Sequence, residues 1–331
     1  MKLLIGWRRC VGAVSVFCVL AAAAWAQQPT LKSYRINGGN YIAVTDLAKF
    51  YNLGHDQVGN AERAEYRTRT ALFYLQAERR DVVLNGVNHW LSWPVQSEHD
   101  RLWVSDVDVL KVIDPVLRPG TVHFGRPIRT VVLDPGHGGS DHGTHSVSGY
   151  AEKILTLDLA KRVQQFLAGS GVRTVLTRTS DRTVSLDDRI EFCREQHAEL
   201  FVSLHFNSGG NAEGIETYCV SPAGAASTSK PSSKNSDSEH MTGNRYDLCN
   251  VWLAHCVQKS LLRATGTADR GVRRARFVVL RDASCPAILV EAGFLSNSVE
   301  EQKIATGTYR DTLAKAIGEG ILMYKRTIEP R

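Results

Sequence analysis

Four residues of this chain have types and settings that suit metal-assisted hydrolysis: His137, Glu152, His205 and Glu291. His137 lies in Asp134-Pro135-Gly136-His137-Gly138-Gly139, where a β-branched run ends and glycines let the backbone turn sharply and approach a ligand. His205 closes the apolar run Phe201-Val202-Ser203-Leu204, and the two-residue period of a strand puts Asn207 on the same face. Glu152 opens a stretch with helical spacing, and Glu291 ends the run Ala287-Ile288-Leu289-Val290 just ahead of Gly293 and Phe294. Taken singly, each has an ordinary explanation. A histidine between glycines is commonly a surface-loop residue, a strand histidine can be bonded to backbone in a core, and an acid at a helix start favours the helix dipole. Taken together, two histidines and one carboxylate make a three-ligand zinc site with a position left for water, and a second carboxylate supplies the general base that such a site needs.

The elements that must position these groups alternate. A β-branched run over 129–134 and apolar runs over 173–178, 200–206, 214–220, 277–280 and 287–291 read as strands. Helical spacing fills the gaps at 152–167, 186–196, 246–264 and 300–324. This order predicts an α/β domain over 129–325, a mixed, mostly parallel sheet sandwiched by helices. Before it, residues 27–118 carry short alternating runs, a short helix within 41–53, and turn signals such as Asn85-Gly86 between apolar runs. They predict a small α+β accessory domain, and Pro119-Gly120 and Gly125-Arg126-Pro127 punctuate a linker over 119–128. Residues 221–243 are dense in Ser, Ala, Thr, Lys and Gly, and read as a flexible loop inside the second domain.

The first 26 residues run from Lys2, Arg8 and Arg9 through a short apolar stretch to Ala24-Trp25-Ala26, a secretory signal too short for a comfortable membrane span. An uncleaved N-terminal anchor is the alternative, and either way the body of the chain lies outside the cytoplasm. Removing the signal takes the formal charge from +6 to +3, which argues against a nucleic-acid binder. Of seven cysteines, Cys193, Cys219, Cys249, Cys256 and Cys285 remain in the mature chain. None has close metal-ligand spacing, the odd number leaves at least one free or paired between chains, and most read as small buried apolar residues.

The motifs now join into a resemblance. DPGHGG, a Glu-Lys pair opening the next helix, TRTSDRTVSL with Arg189, FVSLHFN, RGVRRARFVVLR and ILVEAGFLSN resemble, in order and spacing, the zinc-dependent N-acetylmuramoyl-L-alanine amidases of the type called amidase 3. The resemblance implies one zinc ion held by His137, Glu152 and His205, with Glu291 as the catalytic glutamate. It implies peptidoglycan as the substrate, an exported enzyme of the periplasm or cell envelope, and an activator or divisome protein as a further partner. Asn207 and the backbone near Gly138 become candidates to hold carbonyl or sugar, and Asp134 to steady the loop or a ligand. The basic cluster of Arg270, Arg273, Arg274 and Arg276 reads as a site for substrate carboxylates, with Arg276 as the candidate, or else as a solvated positive face. The sequence departs from the family at Cys193-Arg194, where an Ala-Asn pair is frequent. Within the 221–243 loop, Glu239 and His240 are placed where some family members carry a segment over the zinc, a solvated loop being the alternative. The N-terminal domain is similar to small amine-oxidase-N-terminal-like modules, and Trp90, Trp93 and Trp103 there suit either glycan stacking or a core. A zinc peptidase acting on stem peptides, or a non-catalytic wall-binding regulator, are the competing functions.

Overall fold

The computed structural model describes residues 31–54, 62–69, 71–228 and 239–329. The expected signal over 1–26 and the middle of the 221–243 loop lie outside the described residues. The N-terminal part opens with β1 (Tyr34–Ile36), β2 (Gly39–Ala43) and α1 (Val44–Phe50). A meander follows of β3 (Arg63–Arg67), β4 (Leu72–Gln76), β5 (Asp81–Leu84) and β6 (Val87–Trp90), then β7 (Gln96–Glu98) and β8 (Arg101–Ser105). Asn85 and Gly86 join β5 to β6 with φ of 52° and 81°, the left-handed pair that a tight hairpin turn with right-handed strand twist requires. Two short helices, α2 (Asp106–Asp108) and α3 (Asp114–Leu117), lead on through a π turn to the α/β part.

That part consists of β9 (Thr130–Pro135), α4 (Glu152–Leu167), β10 (Arg173–Leu176), α5 (Leu186–Glu195), β11 (Leu200–Asn207), β12 (Ile215–Cys219), α6 (Asp247–Thr265), β13 (Asp269–Arg274), α7 (Val278–Arg281), β14 (Ala287–Phe294), α8 (Ser298–Ala305) and α9 (Gly307–Ile328). Its strands lie in the order β10-β9-β11-β14-β12-β13. The first four are parallel, and β12 runs antiparallel to β14. Strand alternation divides the core: Val131, Leu133, Val202, Leu204, Ile288 and Val290 face α4, α6 and α9, whereas Val132, Phe201 and Leu289 face α5 and α7. The expected mixed, mostly parallel sheet between helices is therefore present.

At the accessory boundary the sheet does not stop. β6 pairs with β13 at His89 and Val272, so the meander extends the same sheet to ten strands, and β1, β2, β8 and β7 form a separate one. Ile42, Phe73 and Leu84 belong to one buried cluster with Val251 and Ile317. Residues 119–128 are packed, with Val122 and Ile128 buried and the Ile128 amide donating to Glu329. Of the tryptophans, Trp103 is buried, Trp93 is partly exposed, and Trp90 lies under Arg273 with its indole N–H on the Arg270 carbonyl.

One expected element is wrong. Residues 277–280 were expected as a strand but start helix α7, and the strand is Asp269–Arg274. A four-residue apolar run fits either period, and the charged β13 hides its pattern because its arginines are consumed by neighbours. The helix expected over 300–324 is two, broken at Thr306, whose side chain caps the second. All five described cysteines are free and buried, as expected, with Cys193 Sγ 3.5 Å from Cys285 Sγ. Among the described residues, no helix is long and apolar enough to cross a membrane.

Candidate metal centre and active site

Three neighbouring strands and one helix start build the site. β9 and β11 pair so that Ser203 lies beside Asp134, and β11 and β14 pair so that His205 lies beside Glu291. These positions face α5, and they come late in their strands, the edge where open α/β sheets gather ligands. After β9 the chain turns through the glycine loop, with His137 at φ 61°, and returns to α4 so that Glu152 enters from its first turn. The approach is close enough to require glycine. A Cβ on Gly136 would stand 2.2 Å from the His205 ring, and one on Gly143 would stand 2.5 Å from Glu152 Oε2.

Glu152 is buried and sits between the two imidazoles. Its Oε1 accepts from the Phe206 amide at 3.0 Å and lies 3.0 Å from His205 Nδ1, while its Oε2 accepts from the Thr144 amide at 3.0 Å and lies 3.1 Å from His137 Nε2. One donor atom from each of His137, Glu152 and His205 lies within 4.8 Å of the others, so the three could hold a metal ion. The other nitrogen of His137, Nδ1, is 2.8 Å from Asp141 Oδ2, the carboxylate support that commonly orients a metal-binding imidazole. Burial works against charge on Glu152, yet His137 and His205 hold its carboxyl well below the usual range. Burial likewise opposes a charged His137, but Glu152 and Asp141 outweigh it and raise its pKa.

Glu291 completes the constellation. Burial first, then the nearby Glu152 and Glu216 carboxylates, push its pKa well above the ordinary value. Its Oε2 is buried and has no hydrogen-bond partner among the described residues. A cleft of about 840 Å³ opens over His137, Glu152, His205 and Glu291, walled by Val184, Leu186, Phe277 and Val278.

The N-acetylmuramoyl-L-alanine amidase family, Amidase_3, matches residues 131–323, a span that holds all four of these groups. The chain belongs to that family. Among its relatives, the amidase LytC of Bacillus subtilis is 34% identical over 299 residues, covering 88% of this chain and 55% of LytC. The amidase AmiA of Escherichia coli is 32% identical over 219 residues, 59% of this chain and 76% of AmiA. The chain thus spans about half of one relative and three quarters of the other. Among solved structures, the catalytic domain of the amidase CwlV from Bacillus (Paenibacillus) polymyxa superposes with a TM-score of 0.50 at 31% identity, covering 60% of this chain and 98% of that one. The amidase AmiC2 of Nostoc punctiforme gives 0.50 at 35%, covering 60% and 97%.

The remaining residues singled out in the sequence fall around this amidase-family site. Asn207 lines the cleft, its side-chain oxygen accepting from the Ser208 amide at 2.7 Å. Arg276 also lines it and donates to the carbonyls of Pro222 and Ala225, which ties the start of the 221–243 loop to the cleft wall. Asp134 is buried beneath the site, accepting from Thr177, Ser203 and Arg189. The Gly138 amide donates to the Asp141 carbonyl at 2.9 Å and is already taken. Of the basic cluster, Arg274 is buried, Arg270 pairs with Glu216, and Arg273 stacks on Trp90, so only Arg276 faces the cleft. Glu239 and His240 are exposed. Sequence reasoning missed Asp141, Arg178 and Glu216. Asp141 follows His137 by four residues, and an acid so close to a loop histidine was the available signal; nothing in the sequence marks Arg178 as buried.

Proposed function

We propose that this chain is a zinc-dependent N-acetylmuramoyl-L-alanine amidase, hydrolysing the amide between the lactyl carboxyl of N-acetylmuramic acid and the L-alanine amine of the stem peptide. The observation that carries the reading is the His137, Glu152 and His205 donor set beside a half-buried glutamate, Glu291, with one unpartnered oxygen, in a chain of this family. Two imidazole nitrogens and one carboxylate oxygen are the donor types that hold catalytic zinc with a position left open. When bound, zinc supplies Lewis acidity, lowering the pKa of water from about 16 towards ~7 and polarising the amide carbonyl.

The chain's own residues do the rest. Glu291 has a raised proton affinity and a free oxygen, so it takes the proton of the attacking water and returns it to the departing alanine nitrogen. The C–N bond breaks as the new C–O bond forms, leaving a lactyl carboxylate and a free amine. Asp141 holds the His137 ring in place from its far nitrogen. The apolar wall of Val184, Leu186, Phe277 and Val278 excludes water and accommodates the peptide, and Asn207 orients the carbonyl or sugar. Peptidoglycan lies outside the cytoplasm, so the work requires export, which agrees with the signal read over 1–26.

Digestion of purified peptidoglycan, with products read by mass spectrometry, tests the proposal. Stem peptides beginning at L-alanine should appear, and should vanish with a chelator or in Glu291→Ala. Shortened peptides still attached to muramic acid would replace this reading with a peptidase.

A further inference from the structure

The loop that carries His137 is gripped from beneath by two buried guanidinium groups. Arg178 is 1% exposed and Arg189 is 4% exposed. Arg178 donates from Nε to the Pro135 carbonyl at 3.1 Å and from Nη2 to the carbonyls of Gly136 and Lys153, both at 2.8 Å, and to Thr156 Oγ1 at 3.1 Å. Arg189 donates from Nη1 to Asp134 Oδ1 at 2.5 Å and to the Pro135 carbonyl at 2.8 Å, and from Nη2 to the His137 carbonyl at 2.8 Å. Three successive carbonyls, those of Pro135, Gly136 and His137, are thereby satisfied by two side chains. Arg178 also holds the carbonyl one residue past Glu152, so the segments bearing two of the three metal donors are tied to the same pair of cations.

Geometry explains why such a grip is present. His137 has φ 61°, a backbone conformation that a residue with a Cβ rarely adopts unless its surroundings impose it. A buried turn of consecutive peptide carbonyls needs donors, and only a planar fork can reach several at once; a lysine ammonium offers its donors from one point. Charge does not explain it. Among the described residues Arg189 pairs with Asp134 and Arg178 forms no ion pair, so one of the two cations has no direct counter-ion beneath a site that must take up a cation. By Coulomb's law alone, removing either arginine should strengthen metal binding.

We propose that Arg178 and Arg189 are positioning residues that preset the His137 loop against the start of α4, and so set zinc affinity without touching the metal. The inference rests on the zinc reading above. Its test is the zinc dissociation constant of the mature chain, measured by competition with a chromophoric chelator, for the wild type, Arg178→Lys, Arg189→Lys and Arg189→Met, with thermal unfolding of the metal-free proteins as a check of fold. The lysine variants keep the charge and lose the fork; roughly 10- to 100-fold weaker zinc binding is expected, as for other residues that support metal ligands. At saturating zinc, kcat should largely return. Variants that fold and bind zinc within twofold of the wild type, or more tightly, overturn the proposal. If Arg189→Met does not fold, the two lysine variants decide. A wild type that takes up no zinc overturns the metal reading itself, a result distinct from equal affinities across the set.

Discussion

Lowering the pH from 7 to 5 perturbs the buried contact between His89 and His255. His89 on β6 and His255 on α6 are fully buried, with Nε2 and Nδ1 3.0 Å apart, and His255 also stacks on Trp252. Burial, aided by Lys259, drives the His255 pKa down from 6.5 to about 3, and burial, then His255 and Arg274, lower that of His89 as well. A depressed histidine pKa means that the unfolded chain takes up the proton first, so the stabilisation is complete above about 6.5 and is lost as pH falls. At pH 5 the unfolded histidine is mostly charged and the folded one is not, which costs about 2 kcal/mol for His255 at about 1.4 kcal/mol per pH unit. That figure is insensitive to the folded value, since about 3 lies well below 5. His89 adds at most as much again, because the two share one hydrogen bond and a single proton disrupts it. For a chain of 331 residues, about 2 kcal/mol corresponds to roughly 3 °C in Tm. Thermal unfolding of the metal-free protein at both pH values, for the wild type and a His89→Gln/His255→Gln double variant, isolates the effect, since all other titrations are common to both. An equal fall in Tm for the two proteins would refute the reasoning.

Other expectations follow from the same structure. Glu291→Gln should lower hydrolysis by about 10²–10⁴-fold while leaving zinc content at one per chain, as checked by kinetics and elemental analysis. Gly143→Ala places a Cβ against Glu152 Oε2 and the His137 ring at a left-handed position, so zinc binding should weaken by about tenfold or more in the chelator competition. The buried thiols of Cys193 and Cys285 should resist a maleimide in the native protein and react once it is unfolded, as counted by intact mass.

The site was legible wherever a chemical residue type coincided with a clear period. His205 and Glu291 follow continuous apolar runs within strands β11 and β14, and Glu152 starts a helix whose spacing spans its whole length. His137 was marked by its glycines. What could not be read is what depends on tertiary partners. Arg178 and Arg189 have the composition of surface residues, and their burial follows from carbonyls that only the folded loop presents. The same holds for β13, where Arg270, Arg273 and Arg274 find Glu216, Trp90 and Cys219 across the fold, so a strand carries charges that local pattern assigns to solvent. The continuity of the sheet across residue 118 rests on β6 and β13, which pair at His89 and Val272 and are tied by the Asn88 amide on Asp269 and the Trp90 indole on the Arg270 carbonyl, and no local signal encodes it.

Hydrolysis of peptidoglycan in water enriched in ¹⁸O reads the bond that is cut most directly. With zinc present, one ¹⁸O should enter the lactyl carboxylate of muramic acid and none the released stem peptide, whose amine is newly free. Label in a peptide carboxylate, or release that survives both chelation and Glu291→Ala, would contradict the account.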